Sequence, residues 1–506
     1  MVAVRVLLLS TYELGHQPLH LAAPAGALLR AGHDVRCCDL AVDPLDDAAL
    51  SWADAVACSV PMHTAMRLAR RAVAAVRARR PEVPVCLYGL YANLDGAEGT
   101  APAADLAIAG EYERPLVSWV SSLGSGATPP HAVVVELGRH RAGLPARHLL
   151  APLERYARLA LGDEERLAGY VEASHGCAHR CRHCPVPVVY DGRTRLVGED
   201  AVVADVAQLV ALGARHITLG DPDFLNGPHH ARRVLSALHG AFPELTFDVT
   251  AKVEHVLRHR SLWPELAAAG CIFAVSAFES TSDRVLGELD KGHGVADAAE
   301  AVAVLRAAGI EPRPSLVPFT PWTTAQDMAA LLDFVARCDL VGNVDPVQYA
   351  IRLLVPPQSL LVTSGRLSGR LSGYDAEHLG WSWASPDPRL DALQEELSDI
   401  AARADDGRWP ARRAFDAVCA ATARRLALAP RRVGAVPVDG ALRSPLPEGS
   451  RPRLTEAWFC CAEPRGTQLD TVAVSERDSV SGLHLRPDDD GVGAPVATSG
   501  RGTPWP

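Results

Sequence analysis

Two successive runs of short apolar stretches alternating with amphipathic ones constrain this chain more than any single residue does. In the first run, Val4–Ser10, Val35–Leu40, Ala55–Val60, Val85–Tyr88 and Ala107–Ala109 read as strands, and His20–Ala31 and Met66–Arg80 as helices between them. Strands that alternate with helices predict a parallel, doubly wound sheet. Such sheets bind ligands at the carboxyl ends of their strands, and the loops Ser10–Pro18, Ser59–Thr64 and Gly89–Asp95 would crowd that edge. The second run begins near Gly169, with strands at Tyr170–Ser174, Ile217–Gly220, Thr246–Thr250, Ile272–Ala277, Glu311–Pro318 and Val347–Leu354 and helices such as Ala201–Leu212 and Ala298–Ala308. Six βα units suit a partial TIM-like barrel.

The expected organisation is therefore α/β. A Rossmann-like domain occupies residues 1–125, a Gly/Pro/Ser-containing linker 126–165 and a partial (β/α)6 barrel 166–365. A mainly helical region follows at 366–464, with Leu390–Arg403 and Arg412–Leu428 as its best periodic stretches, and a Gly/Pro/Asp-rich tail at 465–506 reads as disordered.

Composition excludes more than it selects. Hydrophobic residues make up 48% of 506, yet no run of 18 apolar residues is free of charge, so no membrane span is expected. Met1–Ser10 leads into Tyr12, Glu13 and His16 rather than a small-residue cleavage site, so the expected location is the cytoplasm. A net charge of −10 argues against a nucleic-acid partner. Lys252 and Lys291 are the only lysines, and both fall in the second run. Twelve cysteines in such a chain suggest thiols and metal rather than a disulfide framework. Cys58, Cys86, Cys271, Cys338 and Cys419 sit singly in apolar segments and read as small hydrophobes, and Cys37/Cys38 as a pair within a strand.

The remaining cysteines carry chemistry. In Ser174-His-Gly-Cys177-Ala-His-Arg-Cys181-Arg-His-Cys184-Pro185, three thiols at spacings of four and three can wrap one iron–sulfur cube and leave one iron open. The loop follows a strand at the end of a barrel where catalysis occurs. The competing use is a zinc site completed by His175, His179 or His183, although no second Cys pair lies within reach.

Cys177-x3-Cys181-x2-Cys184 opening a βα barrel resembles the radical S-adenosylmethionine (SAM) superfamily over about residues 165–365. The resemblance implies a [4Fe–4S] cluster on Cys177, Cys181 and Cys184. It also implies SAM chelated to the open iron and cleaved by an electron from a donor such as flavodoxin or ferredoxin, and a small-molecule substrate. Where the family has a Gly-Gly-Glu-like segment facing the SAM amino group, this chain has Gly220-Asp221-Pro222-Asp223, so Asp221 and Asp223 inherit that role, with a plain turn as the alternative. Glu279-Ser280, followed by Lys291-Gly292, resembles the stretch that approaches the SAM ribose; a helix-capping acid is the alternative for Glu279. Arg352, in an apolar run, is expected to reach inward to an acid, and Lys252 is a weaker candidate.

The preceding α/β domain, with Gly15-His-Gln-Pro18, Gly32-His-Asp-Val35 and Gly110-Glu-Tyr-Glu113, resembles the B12-binding-domain class of that superfamily and implies cobalamin as a third cofactor. The Asp-x-His-x-x-Gly signature of a lower-axial histidine is absent, so cobalamin would bind without that ligand; a fold that keeps the shape without the cofactor is the other reading.

Trp458-Phe-Cys460-Cys461-Ala-Glu-Pro464 closes the motif set. Adjacent cysteines form only a strained, labile disulfide. Cys460 and Cys461 are therefore candidate catalytic thiols that bind a soft element, reduce an intermediate or resolve an oxidised product, with a docked apolar segment as the alternative. The segment resembles the CUAEP/CCAEP-tail radical SAM proteins. Three functions follow: radical SAM modification of a small molecule, including cobalamin-dependent methylation; group transfer to arsenic or selenium through the vicinal thiols; or a non-catalytic cobalamin or redox sensor.

Overall fold

The computed structural model describes residues 2–124, 132–428 and 440–456; Cys460, Cys461 and the tail from 465 lie outside the described residues. The first domain is a parallel sheet of β1 (Arg5–Ser10), β2 (Asp34–Asp39), β3 (Ala55–Ser59), β4 (Val85–Tyr88), β5 (Leu106–Gly110) and β6 (Ala132–Glu136), in the order β2-β1-β3-β4-β5-β6. Helices cover both faces, so successive side chains are buried alternately on opposite sides. Val6, Leu8, Ala57 and Cys86 pack on one face, and Leu7, Leu9, Val56 and Cys58 on the other. This is why the strands read as unbroken apolar runs. β6 falls in the stretch expected to be linker and adds a sixth strand at the edge.

The strand order reverses at β1, which opens a crevice at the carboxyl ends of β1 and β3. The second domain closes over that crevice. β7 (Arg158–Leu161) and β8 (Glu164–Val171) form a hairpin, and β9 (Ser174–Gly176) pairs with β10 (Thr194–Leu196). β11 (His216–Leu219), β12 (Thr246–Thr250), β13 (Cys271–Glu279) and β14 (Glu311–Leu316) continue parallel to β8, giving a curled half-barrel.

The expected sixth strand, Val347–Leu354, is instead a 3-10 turn at Pro346–Tyr349 followed by one parallel bridge from Phe319 to Arg352. Two prolines after Leu354, Pro356 and Pro357, lack the N–H needed to extend the ladder. A hairpin of β15 (Leu371–Asp375) and β16 (Gly380–Trp383) precedes the expected C-terminal helices, which run Pro388–Asp406 and Ala411–Leu426. β17 (Arg453–Leu454) returns to the barrel sheet antiparallel to β7.

Arg147 ties the two domains. It is buried, makes paired bonds to Asp205 at 3.0 and 2.8 Å, and donates to the Tyr170 carbonyl at 2.7 Å and the Gln17 carbonyl at 3.4 Å. Among the described residues no helix is long and apolar enough to cross a membrane.

Candidate active site

β9 ends at Gly176, whose φ of +74° no other residue adopts cheaply; a Cβ there would fall 2.2 Å from the Arg193 carbonyl oxygen. The turn aims the following loop into a cavity of about 280 Å³, where Cys177, Cys181 and Cys184 all line the wall. Cys177 and Cys181 are buried, and burial pushes the Cys177 thiol above its ordinary value. Asn226 braces the loop by accepting from the Ala178 N–H at 3.2 Å.

The surroundings of these thiols bear on the two metal uses expected from the sequence. A tetrahedral zinc with bonds of about 2.3 Å would hold its sulfurs under about 4 Å apart. Among the described residues, the only group of metal-ligating side chains whose donor atoms all lie within 4.8 Å is His179, Asp223 and His255. The three thiols do not form such a compact group. The histidines expected to complete a zinc site are occupied elsewhere: His175 by Glu111 at 3.0 Å, His179 by His255 at 3.1 Å and His183 by Glu279 at 3.3 Å. The donor set fits an iron–sulfur cluster.

Glu279 faces the same cavity, at a register shift between β13 and β14 and in a left-handed conformation, φ 60°. A bulge with positive φ at a non-glycine residue is costly and re-aims its side chain. Lys291 Nζ donates to Glu279 Oε1 at 3.0 Å. Burial alone would raise the carboxyl, but Lys291 and His183 outweigh it and hold Glu279 at about 2. Lys291 is raised in turn, the pull of Glu279 overcoming desolvation.

The other expected residues divide. Asp221 lines the cavity, accepts from the Ala173 N–H at 2.8 Å and from the Ser174 hydroxyl, and is pushed up to about 7 by burial. Asp223 does not line it. Its Oδ1 accepts from the Leu225 N–H at 3.0 Å, and its Oδ2 lies 2.8 Å from His255 Nδ1, so it fixes the turn after β11. Ser280 is buried and accepts from the Ser282 N–H at 3.2 Å. Arg352 does not line the cavity, and the acid it reaches lies elsewhere. It pairs with Asp391 at 2.6 Å, lies 3.6 Å over the Trp383 ring, and belongs to the packing of the C-terminal region. Cys58, Cys86, Cys271 and Cys338 are buried in apolar cores as expected.

Sequence reasoning missed part of the wall. Thr218, Asp248, Val275 and Arg313 line the cavity from the barrel strands, and Leu14 and His16 from the loop after β1. Lys252 lines it too, so both lysines of the chain meet in one cavity; their rarity was the signal.

A second cavity, of about 180 Å³, adjoins the first at the carboxyl edge of the N-terminal sheet, and Leu14, Pro61, Met62, Leu90 and Tyr170 line both. Its polar wall bridges the domains. His20 lies 3.0 Å from Glu13 and 3.5 Å from Glu172; burial opposes its charge, but the two carboxylates raise it to about 9. On the loop after β1, His16 has its Nδ1 buried without a hydrogen-bond partner while its ring packs on Tyr170 at 4.8 Å. An apolar rim with hydrogen-bonding side chains behind it lies at the edge where a doubly wound sheet takes its ligand, the edge that would face a cofactor such as cobalamin.

Residues 171–335 match the family profile described as the Radical SAM superfamily, and residues 5–119 that of the B12 binding domain. No curated protein matches the chain. Among solved structures, it is similar to the cobalamin-dependent S-adenosylmethionine radical enzyme OxsB with aqua-cobalamin and S-adenosylmethionine bound. That match has 14% identity, covers 80% of this chain and 67% of that one, and has a TM-score of 0.63. It is also similar to the radical S-adenosylmethionine methyltransferase TsrM from Kitasatospora setae with tryptophan substrate and a SAM analogue bound, at 18% identity, 79% and 90% coverage and a TM-score of 0.60. With a three-cysteine loop opening a half-barrel and a doubly wound domain closing over it, the chain carries a radical SAM domain preceded by a B12-binding domain.

Proposed function

We propose that this chain is a cobalamin-dependent radical SAM enzyme that transfers a carbon group, methyl being the simplest, to a small molecule held between its two domains. One observation carries the reading: the cluster cysteines, the Glu279–Lys291 pair and the carboxyl-edge loops of the N-terminal sheet face one continuous space. The ligands bound in the OxsB and TsrM structures, cobalamin and SAM or its analogue, support the same assignment.

When bound, the cluster with SAM supplies reductive cleavage of a carbon–sulfur bond, and cobalamin supplies a carrier for a methyl group. The chain's own part is placement. Cys177, Cys181 and Cys184 would hold the cluster, three thiolates being one fewer than its irons. Glu279, its ionised form favoured by Lys291 and His183, serves as an acceptor for ligand hydroxyls, and Lys291 fixes its rotamer. Asp221 presents a carboxyl to an ammonium group, and Lys252 an ammonium to a carboxylate. Leu14, Met62 and Leu90 keep water from the space between the domains. An external reductant of the flavodoxin or ferredoxin kind delivers the electron.

The test is to reconstitute the protein with iron and sulfide without oxygen, add reductant, cobalamin and SAM, and identify the SAM-derived products by mass spectrometry against Cys181→Ala. Cluster-dependent 5′-deoxyadenosine with S-adenosylhomocysteine is expected. Methylthioadenosine in their place would replace methyl transfer by aminocarboxypropyl transfer. If no product depends on Cys181, the reading fails.

A further inference from the structure

In Thr246-Phe-Asp248-Val-Thr250 an acid stands at the centre of β12. Successive strand residues face opposite sides of a sheet, so Asp248, Thr250 and Lys252 share the inner side, and all three line the first cavity. Asp248 is only 2% exposed, and a carboxylate buried so deeply is unfavourable unless hydrogen bonds or a counter-charge hold it. One of its oxygens is well held. Asp248 Oδ1 accepts from the Thr218 hydroxyl at 2.8 Å and lies 2.9 Å from His216 Nε2. His216 is fixed in turn, with Nδ1 3.0 Å from the Thr246 hydroxyl and its ring stacked on Phe273. The other oxygen, Oδ2, has no hydrogen-bond partner among the described residues and is not sealed off by protein atoms, so it opens on the cavity.

His16 reaches the same cavity from the other domain. It lines this cavity and not the one at the carboxyl edge of the N-terminal sheet. It is 6% exposed, and its Nδ1 is buried without a partner. Burial lowers the imidazole to about 4 against the pull of Asp248, so the ring is neutral and has a lone pair to offer. The cavity therefore holds two acceptors whose partner is not protein.

The cations on its wall are committed elsewhere. Lys291 pairs with Glu279 at 3.0 Å, Arg313 with Asp345 at 2.6 Å, and Lys252 lies 3.5 Å from Glu254. Nor is Asp248 where Asp221 is. Asp248 stands in register with Thr218, three residues before Asp221. At roughly 3.3 Å per residue, it lies about 10 Å deeper in the barrel than the acid assigned to the ammonium group of SAM.

We propose that Asp248 and His16 form a subsite for a protonated amine on the small molecule that this enzyme acts on. An ammonium group has three donors and no acceptor. It can satisfy Asp248 Oδ2 with a charge-assisted hydrogen bond and donate to His16 as well. An anionic group would meet like charge there, and an alcohol would leave the buried carboxylate uncompensated. Phe273 and Val275 line the cavity beside this position, so the amine is carried on an apolar body. This deepens the proposed function and rests on it for one point, that the cavity holds the substrate.

The experiment uses the full chain, cluster-loaded and oxidised, without oxygen, with and without saturating SAM. Isothermal titration compares phenethylamine and butylamine with the alcohols of the same chains, phenethyl alcohol and butanol. With SAM present, at least one amine is expected to bind at least about tenfold more tightly than its alcohol. Asp248→Asn keeps the shape and is expected to abolish that preference, and His16→Gln to reduce it at least about threefold. Circular dichroism and iron content show which variants are folded and loaded, and either one suffices. Amines bound no better than alcohols by wild type overturn the proposal. So does a preference that survives unchanged in a folded variant. Amine binding that vanishes when SAM is added assigns the subsite to SAM and overturns it too. A change in the electron paramagnetic resonance spectrum of the reduced cluster on adding SAM reports the radical SAM reading separately, so the two can fail independently.

Discussion

Glu279 and Lys291, twelve residues apart, meet at 3.0 Å on the cavity wall, and Glu279 does so from a left-handed backbone at a break in the β13–β14 ladder. Strain at a bulge and a buried charge are both unfavourable for folding alone. Together they hold a carboxylate in one orientation beside the cluster loop.

Breaking that pair costs more than losing a contact. Lys291→Met leaves the buried carboxylate with His183 alone beside it and is expected to destabilise the protein by about 3–5 kcal/mol. Glu279→Gln keeps the shape and strands the ammonium. The depressed carboxyl, at about 2, contributes stability that is fully present above its unfolded value near 4.5 and is lost as pH falls through about 2. Denaturant midpoints measured from pH 7 to pH 3 are therefore expected to converge between wild type and Glu279→Gln toward the acid end.

The interdomain bridge has the opposite sign. His20, raised to about 9 between Glu13 and Glu172, contributes stability that is complete below about 6.5 and is lost as pH rises through about 9. Hydrogen exchange of the loop after β1 is expected to quicken between pH 7 and pH 9.5 in wild type, beyond the intrinsic pH effect. In His20→Gln it should already be fast at pH 7. A loop whose protection ignores both changes would remove His20 from the bridge.

Much of this was legible in the sequence because it is local. The apolar runs of the N-terminal sheet and the spacing of Cys177, Cys181 and Cys184 each depend on a few consecutive residues. What was not legible depends on partners far along the chain. Asp221 and Asp223 flank one proline, and only the folded turn decides that the first faces the cavity while the second caps Leu225. β6 was hidden because its valines, Val133 to Val135, are partly exposed at a sheet edge rather than sealed in a core. Arg352 was misplaced for a related reason. An inward-facing position follows from strand periodicity, and the segment around it is a turn with one bridge.

Arg352→Met is accordingly expected to leave SAM affinity within about twofold while lowering stability by about 1 kcal/mol, from a half-buried ion pair with Asp391 and the contact with Trp383. Isothermal titration with SAM and a urea melt separate the two effects. A large loss of SAM binding at unchanged stability would return Arg352 to the site.

Gly176 is the hinge on which the metal loop turns, and its replacement tests whether that turn sets the cluster. An alanine Cβ would meet the Arg193 carbonyl oxygen at 2.2 Å and the Tyr190 ring at 2.7 Å, on a backbone already at positive φ. Backbone oxygen cannot swing aside as a flexible side chain can, so either β9 separates from β10 or the loop shifts as a body. The strain is expected to cost about 1–3 kcal/mol. Because Cys177 is the next residue, the displacement falls directly on one of the three thiols. Gly176→Ala is therefore expected to fold with a lowered melting point and, after reconstitution, to retain clearly less than the four irons per chain expected of wild type. Ser174→Ala, which removes only the hydroxyl donated to Asp221, should keep its iron. Full iron loading of folded Gly176→Ala would show that the three cysteines find the cluster without the turn.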